Sequence, residues 1–248
     1  MDAAWDSRTE LLVGAAGIQR LRNASVAVFG LGGVGGYAAE AIARAGVGHI
    51  TLVDFDIVDP TNRNRQLLAL RSTEGRKKVE VARERMLDIN PDADVRALAK
   101  QVDEDNAAAL LEGVKYLIDA IDQVRAKAAL LETAYAAGLQ VVSCMGAASK
   151  LSPAGVRVAD ISETEQCPLA RKIRLRLRKA GIHTGIRCVY SQENTRIGPA
   201  QEPAARPRVR GAISYVPGLV GLTAAGVVVN EILGLPGPPR TPDSEPHL

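Results

Sequence analysis

The sequence predicts an α/β fold: a Rossmann-like, doubly wound and largely parallel sheet, followed by a C-terminal extension carrying a basic helix and a buried apolar helix. Three observations carry that prediction. Short β-branched runs alternate with helical ones from Ser25 onward, the pattern of βαβ units. Gly30-Leu31-Gly32-Gly33-Val34-Gly35 follows the first such run and opens a helix. Hydrophobic residues make up 46% of the chain but aromatics only 3%, so the core must come from Ala, Val, Leu and Ile, as in helices packed on a parallel sheet.

The elements follow in order. Val26 to Phe29 reads as a strand, Tyr37 to Ala45 as an Ala-rich helix, and Ile50 to Val53 as a second strand. Lys77 to Ile89 reads as a helix that must stop before Asn90-Pro91, because proline disfavours helical backbone in the residue before it. Strands are expected near Val95 to Leu98, Tyr116 to Ile118 and Leu139 to Ser143, with helices at Glu104 to Leu111 and Val124 to Ala137. After Ser149 the rhythm loosens into a strand at Val156 to Ala159, a basic helix at Pro168 to Ala180 and a strand at Arg187 to Tyr190. Asn194 to Arg210, rich in Pro and Arg, reads as a mobile loop. Val216 to Leu235 is apolar but interrupted by Asn230, Glu231 and several glycines. Its uninterrupted part falls short of the roughly 20 residues a bilayer demands, so a buried helix is expected and no membrane partner. No repeat and no linker divides the chain, so residues 1–235 should form a single domain and the Pro-rich residues 236–248 a disordered tail.

The charge balance excludes little: 31 basic against 28 acidic residues leave a net +3, too small an excess to imply nucleic acid without a local cluster. Cys144, Cys167 and Cys188 lie far apart with no C-x-x-C pair, so neither a disulfide framework nor a thiolate zinc site is written here. The N-terminus lacks a basic region followed by an apolar run, and a cytoplasmic location is expected.

The glycine motif is where chemistry enters. Gly30, Gly32, Gly33 and Gly35 allow a tight turn whose following helix offers free N–H groups and the positive end of its dipole to a phosphate. Asp54, 24 residues after Gly30 and at the end of the next strand, can accept hydrogen bonds from both ribose hydroxyls. Beyond it Asp56, Asn62, Arg63, Asn64, Arg65 and Gln66 crowd a polar cluster, and Lys77 and Lys78 follow at a helix start. Cations and amides at that density suit a triphosphate, because phosphoryl and nucleotidyl transfer depend on positioning and charge neutralisation. Asp119 and Asp122 fall at the carboxyl end of a strand, where a carboxylate can hold magnesium against phosphate oxygens. Asp122 is equally suited to cap the helix that follows.

Gly30 to Gly35, Asp54-Phe55-Asp56, Asn62-x-x-Arg65-Gln66, Lys78 and Asp119-x-x-Asp122, in that order, resemble the adenylating superfamily of ubiquitin-activating enzymes and their bacterial relatives in thiamin and molybdopterin synthesis. The likeness spans nearly all of the chain from Arg8 to about Leu235. Cys167 to Arg174, Arg187 to Glu193 and Gly211 to Pro217 look most like the branch that dehydrates threonylcarbamoyladenosine in tRNA. The resemblance implies ATP and Mg2+ as cofactors, with Asp54 on the ribose, Asn62, Arg65 and Lys78 on the phosphates and Asp122 on the metal. It also implies a homodimer in which Arg8 reaches into the partner's nucleotide site, so that Arg8, Arg65, Lys78 and Asp122 form the catalytic set. The substrate it implies is a tRNA bearing threonylcarbamoyladenosine, whose threonyl carboxylate is adenylated before its carbamoyl group closes a ring. A monovalent cation at the site and a cysteine desulfurase or sulfur-acceptor partner stay open. Sulfur-carrier activators in the superfamily hold zinc on paired C-x-x-C motifs; this chain has none, and no zinc is expected.

Arg171, Lys172, Arg174, Arg176, Arg178 and Lys179 fall within nine residues without an acidic side chain, while Leu169, Ile173 and Leu177 recur on one helical stripe. Such a helix buries its apolar stripe and presents a cationic face that could neutralise tRNA phosphates. Arg196, Arg206, Arg208 and Arg210 could extend it. Cys167, ahead of that helix, is expected to be a small residue at a helix start, although a thiol so placed could act as a nucleophile. His49, His183 and His247 stand singly and take no role. Two other readings compete: an adenylating activator of a ubiquitin-like sulfur carrier, and a nicotinamide-dependent reductase or non-catalytic nucleotide-binding module.

Overall fold

The computed structural model of the chain describes residues 5–194 and 211–235. The expected loop beyond Asn194, with its four arginines, and the Pro-rich tail with His247 lie outside the described residues. Among the described residues one sheet has seven strands in the order β3-β2-β1-β4-β5-β7-β6. They are β1 (Ser25–Phe29), β2 (His49–Val53), β3 (Asp94–Leu98), β4 (Tyr116–Asp119), β5 (Gln140–Cys144), β6 (Val156–Asp160) and β7 (Arg187–Ser191). All pairings are parallel except β6 against β7.

Each expected strand is present within a residue or two, because Val, Ile and Leu crowd the positions buried on both faces of a covered sheet. Helices α2 (Gly35–Arg44), α3 (Lys78–Ile89), α5 (Val124–Ala136) and α6 (Pro168–Lys179) likewise fall where expected. The expected helix at Glu104 to Leu111 shortens to α4 (Ala107–Leu110), because the Asp103 carboxylate accepts the backbone N–H groups of Asp105 and Asn106 and holds those residues in a turn. α1 (Ser7–Arg22) was not expected from the periodicity; it is broken at Gly14, which takes φ 71° and ψ 168°.

Two cores result, one on each face. The first joins Leu21, Ile42, Leu52 and Met86 to Val220, Ala224 and Val228 of α7 (Tyr215–Leu233). The second joins Phe29, Leu117 and Leu130 to Ile173 and Leu177 of α6. α7 is long and apolar enough to cross a membrane by length and composition, but 61% of its apolar window is buried within the fold. The expected stripe on α6 turns slightly: Leu169 is half-buried and Ala170, Ile173 and Leu177 face the core, the i, i+3, i+7 spacing of one helical face.

Leu177→Ala is expected to lower the unfolding free energy by about 3 kcal/mol, since Leu177 is fully buried. Leu175→Ala, on the exposed face of the same helix, should stay within about 0.5 kcal/mol. Urea unfolding of both variants checks the orientation of the basic face.

Candidate nucleotide site

In an open α/β sheet, ligands bind outside the carboxyl ends of the strands where the strand order reverses. Here that point lies between β1 and β4, whose last residues Phe29 and Asp119 pair directly, with Val53 of β2 and Ser143 of β5 at the same level. The segments leaving these strands therefore converge on one crevice: Gly30 to Gly35 after β1, Asp54 to Asp56 after β2, and Ala120 to Gln123 after β4.

The turn after β1 admits no side chain at its two ends. Gly30 has φ 84°, and a Cβ there would come within 2.8 Å of the Ala120 carbonyl oxygen; a Cβ at Gly35 would lie 1.7 Å from the Gly30 oxygen. The start of α2 is thereby pressed against the end of β1, and its first N–H groups open on the crevice. Gly33 faces the backbone of Arg65 and the ring of Pro217, and Gly32 lies near the Gln66 amide. Arg65 and Gln66, in the polar cluster after β2, thus border the turn.

Asp54 is buried and accepts two backbone N–H groups, Leu31 at 2.5 Å through Oδ2 and Asp56 at 2.8 Å through Oδ1. Burial pushes its carboxyl above the ordinary carboxylate range, against the opposing pull of those two N–H groups and the Lys78 charge. Lys78 is also buried and bonds Asp56 Oδ2 at 2.9 Å, while its backbone N–H donates to the Asp56 carbonyl. Asp56, half-exposed, ties the lysine to the crevice. Asn62 has a turn to hold: its Oδ1 accepts the Asp59 N–H at 3.3 Å in a capping box with Asp59. Arg65 is half-buried, with Nη1 on the Thr61 carbonyl and Asn64 Oδ1. Asn64 in turn donates to the Ala212 carbonyl, joining this loop to the approach of α7.

The two aspartates after β4 part company. Asp119 is fully buried and paired at 2.7 Å with the equally buried Lys127 of α5, so it is a core group and not an open ligand. Asp122 is exposed, and the cap of α5 is Gln123, so the helix does not claim its carboxylate. Among the described residues no three His, Cys, Asp or Glu side chains cluster as a metal cage. A single carboxylate still fits magnesium, which is held by one or two carboxylates together with substrate phosphates and water. Lys127 escaped the sequence reading because a lysine on an amphipathic helix ordinarily reads as solvated.

Arg8 is exposed in the first turn of α1. That turn starts at Asp6, which pairs with Arg22 just ahead of β1, so Arg8 lies at the amino edge of the sheet and not in the crevice of its own chain. On α6, Arg171, Lys172, Arg176, Arg178 and Lys179 are exposed. Arg174 differs: its Nη1 donates to the carbonyls of Ile161 and Thr164 and to the Thr164 hydroxyl, fixing the approach to the helix. Cys167 is buried. Burial pushes the Cys144 thiol up to about 12 and raises that of Cys188 as well, so both stay protonated.

A family model described as ThiF family matches residues 7–245. The chain is 40% identical over 238 residues to the tRNA threonylcarbamoyladenosine dehydratase of Bacillus subtilis, covering 92% of this chain and 94% of that one. It is similar to crystal structures of E. coli tRNA N6-threonylcarbamoyladenosine dehydratase in complex with AMP (TM-score 0.85, 37% identity, 94% of this chain and 96% of that one). The complex of that protein with ATP gives a TM-score of 0.83 at 35% identity, over 94% and 98% of the two chains. Likeness to the molybdopterin-synthase adenylyltransferase of Salmonella typhimurium is more limited, 36% over 151 residues that cover 61% of this chain and 59% of that one. With a match over nearly its whole length and a relative this similar, the chain belongs to the ThiF family.

Proposed function

We propose that this chain is an ATP-dependent enzyme that dehydrates threonylcarbamoyladenosine in tRNA by way of an acyl adenylate. The observation that carries the reading is the crevice at the β1/β4 switch point, bordered by the glycine turn, Asp54 and Arg65, with buried Lys78 tied in through Asp56 and exposed Asp122 in the segment leaving β4. Likeness to the dehydratase over more than nine-tenths of both chains, against about three-fifths for the molybdopterin-synthase adenylyltransferase, supports this choice of substrate.

The threonyl carboxylate attacks the α-phosphorus of ATP, the bond to the bridging oxygen breaks, and pyrophosphate leaves. The carbamoyl group then attacks the acyl carbon, closes a ring and expels AMP, which carries off the carboxylate oxygen; the nucleoside has lost one water. The two reacting groups are tethered in one nucleoside, which removes the entropic cost of bringing them together. Asp54 holds the ribose hydroxyls; Lys78, Arg65 and the amide of Asn62 offset phosphate charge, with Asp56 and Gln66 lining the pocket. Asp122 would hold magnesium, which when bound screens the triphosphate.

The homodimer is supported by Leu11 and Leu12, 83% and 86% exposed beside Arg8. A second copy covering them would bury apolar surface and deliver Arg8 to the neighbouring crevice. The cationic face of α6 supports tRNA as partner, and a tRNA substrate supports a cytoplasmic site of action.

The direct test is incubation with ATP, magnesium and tRNA carrying threonylcarbamoyladenosine, followed by mass spectrometry for a nucleoside lighter by one water. Turnover requiring a small carrier protein instead of RNA would favour the sulfur-carrier reading. Lys78→Ala and Asp122→Ala are each expected to cut AMP release at least about 100-fold, the scale of losing one charge-stabilising group; near-normal turnover would remove that residue from the set.

Asp54 gives a pH signature. Its ionised form is disfavoured in the fold, so protonation regains stability as pH falls through the raised pKa, while the acceptor that binds ribose is lost. ATP affinity of the wild type, referenced at each pH to Asp54→Asn, should therefore decline on acidification from above the ordinary carboxylate range. A flat difference would refute the ribose assignment. Replacing Arg176 and Arg178 by Ala should lower tRNA affinity and reduce the slope of log affinity against log salt by about two; filter binding across a salt series reads it directly.

A further inference from the structure

We propose that Lys127 is a positioning residue for Asp122, acting through its buried pair with Asp119; the inference rests on the reading of Asp122 as the magnesium ligand. Both members of the pair are 0% exposed. Two charges in a core are costly, and an apolar pair of similar volume commonly stabilises as well or better. The hydrogen bonds around the pair show what an apolar pair could not do. Lys127 Nζ donates to the Ile121 carbonyl at 3.0 Å and to the Cys144 carbonyl at 2.8 Å. Asp119 Oδ1 accepts the Ile121 N–H at 3.1 Å, and its Oδ2 accepts the Ser143 hydroxyl at 2.7 Å.

Ile121 is therefore held at both its N–H and its carbonyl by the two halves of one ion pair. The residue before it, Ala120, donates its N–H to the Phe29 carbonyl at 2.8 Å, with its own carbonyl packed under Gly30. The connection leaving β4 is pinned at Asp119, Ala120 and Ile121 in succession, and the next residue is Asp122. With the α5 cap at Gln123, exposed Asp122 leaves a backbone whose three preceding residues are fixed beside the glycine turn, and that fixed start is what would set the position of its carboxylate. Groups that orient a metal ligand without touching the metal govern its affinity in this way.

The test compares ATP affinity in magnesium with affinity in chelator, by equilibrium binding to the full chain. The double variant Asp119→Asn/Lys127→Met removes both charges together and leaves neither unpaired. It is expected to bind ATP in chelator within about twofold of wild type but to lose about tenfold or more of the tightening that magnesium gives, the usual scale for outer-shell changes. Ser143→Ala, which deletes a single hydrogen bond to Asp119, should shift the same ratio in the same direction by a smaller factor and carries the test if the double variant does not melt cooperatively. A folded double variant, or failing that Ser143→Ala, with the wild-type magnesium ratio overturns the clamp alone. A wild type whose ATP affinity ignores magnesium, or responds equally in Asp122→Ala, overturns the assignment of Asp122 and the clamp with it.

Discussion

The buried carboxylate of Asp54 is the constraint around which the crevice is assembled. One oxygen takes the N–H of Leu31 inside the glycine turn, and the other takes the N–H of Asp56. A single side chain at the end of β2 thus fixes the loop after β1 and the loop that anchors Lys78. Such a group is expensive to bury unless its acceptors are filled, and two backbone donors fill part of that need. The remaining lone pairs are available to hydroxyls of a ligand, which makes the site preorganised at a standing electrostatic cost, since burial still raises the carboxyl pKa.

Around this hub the charges are arranged in two layers. Lys78 with Asp56 faces the crevice, one partner buried and the other half-exposed; Lys127 with Asp119 lies beneath, sealed from solvent. The outer pair keeps one partner in contact with solvent, so under the proposed reading Lys78 would trade its carboxylate for phosphate while Asp56 stays hydrated. The inner pair has no such outlet, and its four hydrogen bonds to Ile121, Ser143 and Cys144 make it a fixed part of the frame. A rigid frame beneath the crevice favours charge stabilisation, because donors already held in place need no reorganisation as charge develops.

Much of this was legible in the sequence, and the failures have physical causes. The strands could be read because burial on both faces forces continuous apolar runs, and the glycine turn because only missing side chains permit its contacts. α1 was invisible: it breaks at Gly14 and carries Leu11 and Leu12 toward solvent, so no amphipathic stripe marks it. Asp119 and Asp122 look alike in a sequence, three residues apart at the end of one strand, and only the buried Lys127 distinguishes the core carboxylate from the exposed one. Arg174 similarly reads as one more cation of the basic run, whereas its guanidinium is spent on the carbonyls of Ile161 and Thr164. The glycine motif alone predicts a nucleotide; the polar cluster beyond Asp54 is what argues for a triphosphate.

The direction of α6 connects the crevice to the cationic face. Cys167, at its start, lies with Sγ 3.6 Å from the Cβ position of Gly146, just past the carboxyl end of β5. The helix therefore begins on the crevice side of the sheet and runs away from it for about 18 Å, at 1.5 Å per residue over its 12 residues. Arg171 and Lys172 stand nearest the crevice and Arg178 and Lys179 farthest. Under the proposed reading ATP takes the glycine turn and the tRNA nucleoside meets its α-phosphate, so contacts between flanking phosphates and this row would add binding energy to be spent on holding one carboxylate in line. Arg174, in the middle of the row but bonded to Ile161 and Thr164 in the segment ahead of it, ties the helix to that segment. Exposed charge along α6 is thus laid out at graded distances from the crevice, an arrangement in which backbone contacts can position a nucleic acid while a separate pocket carries the selectivity.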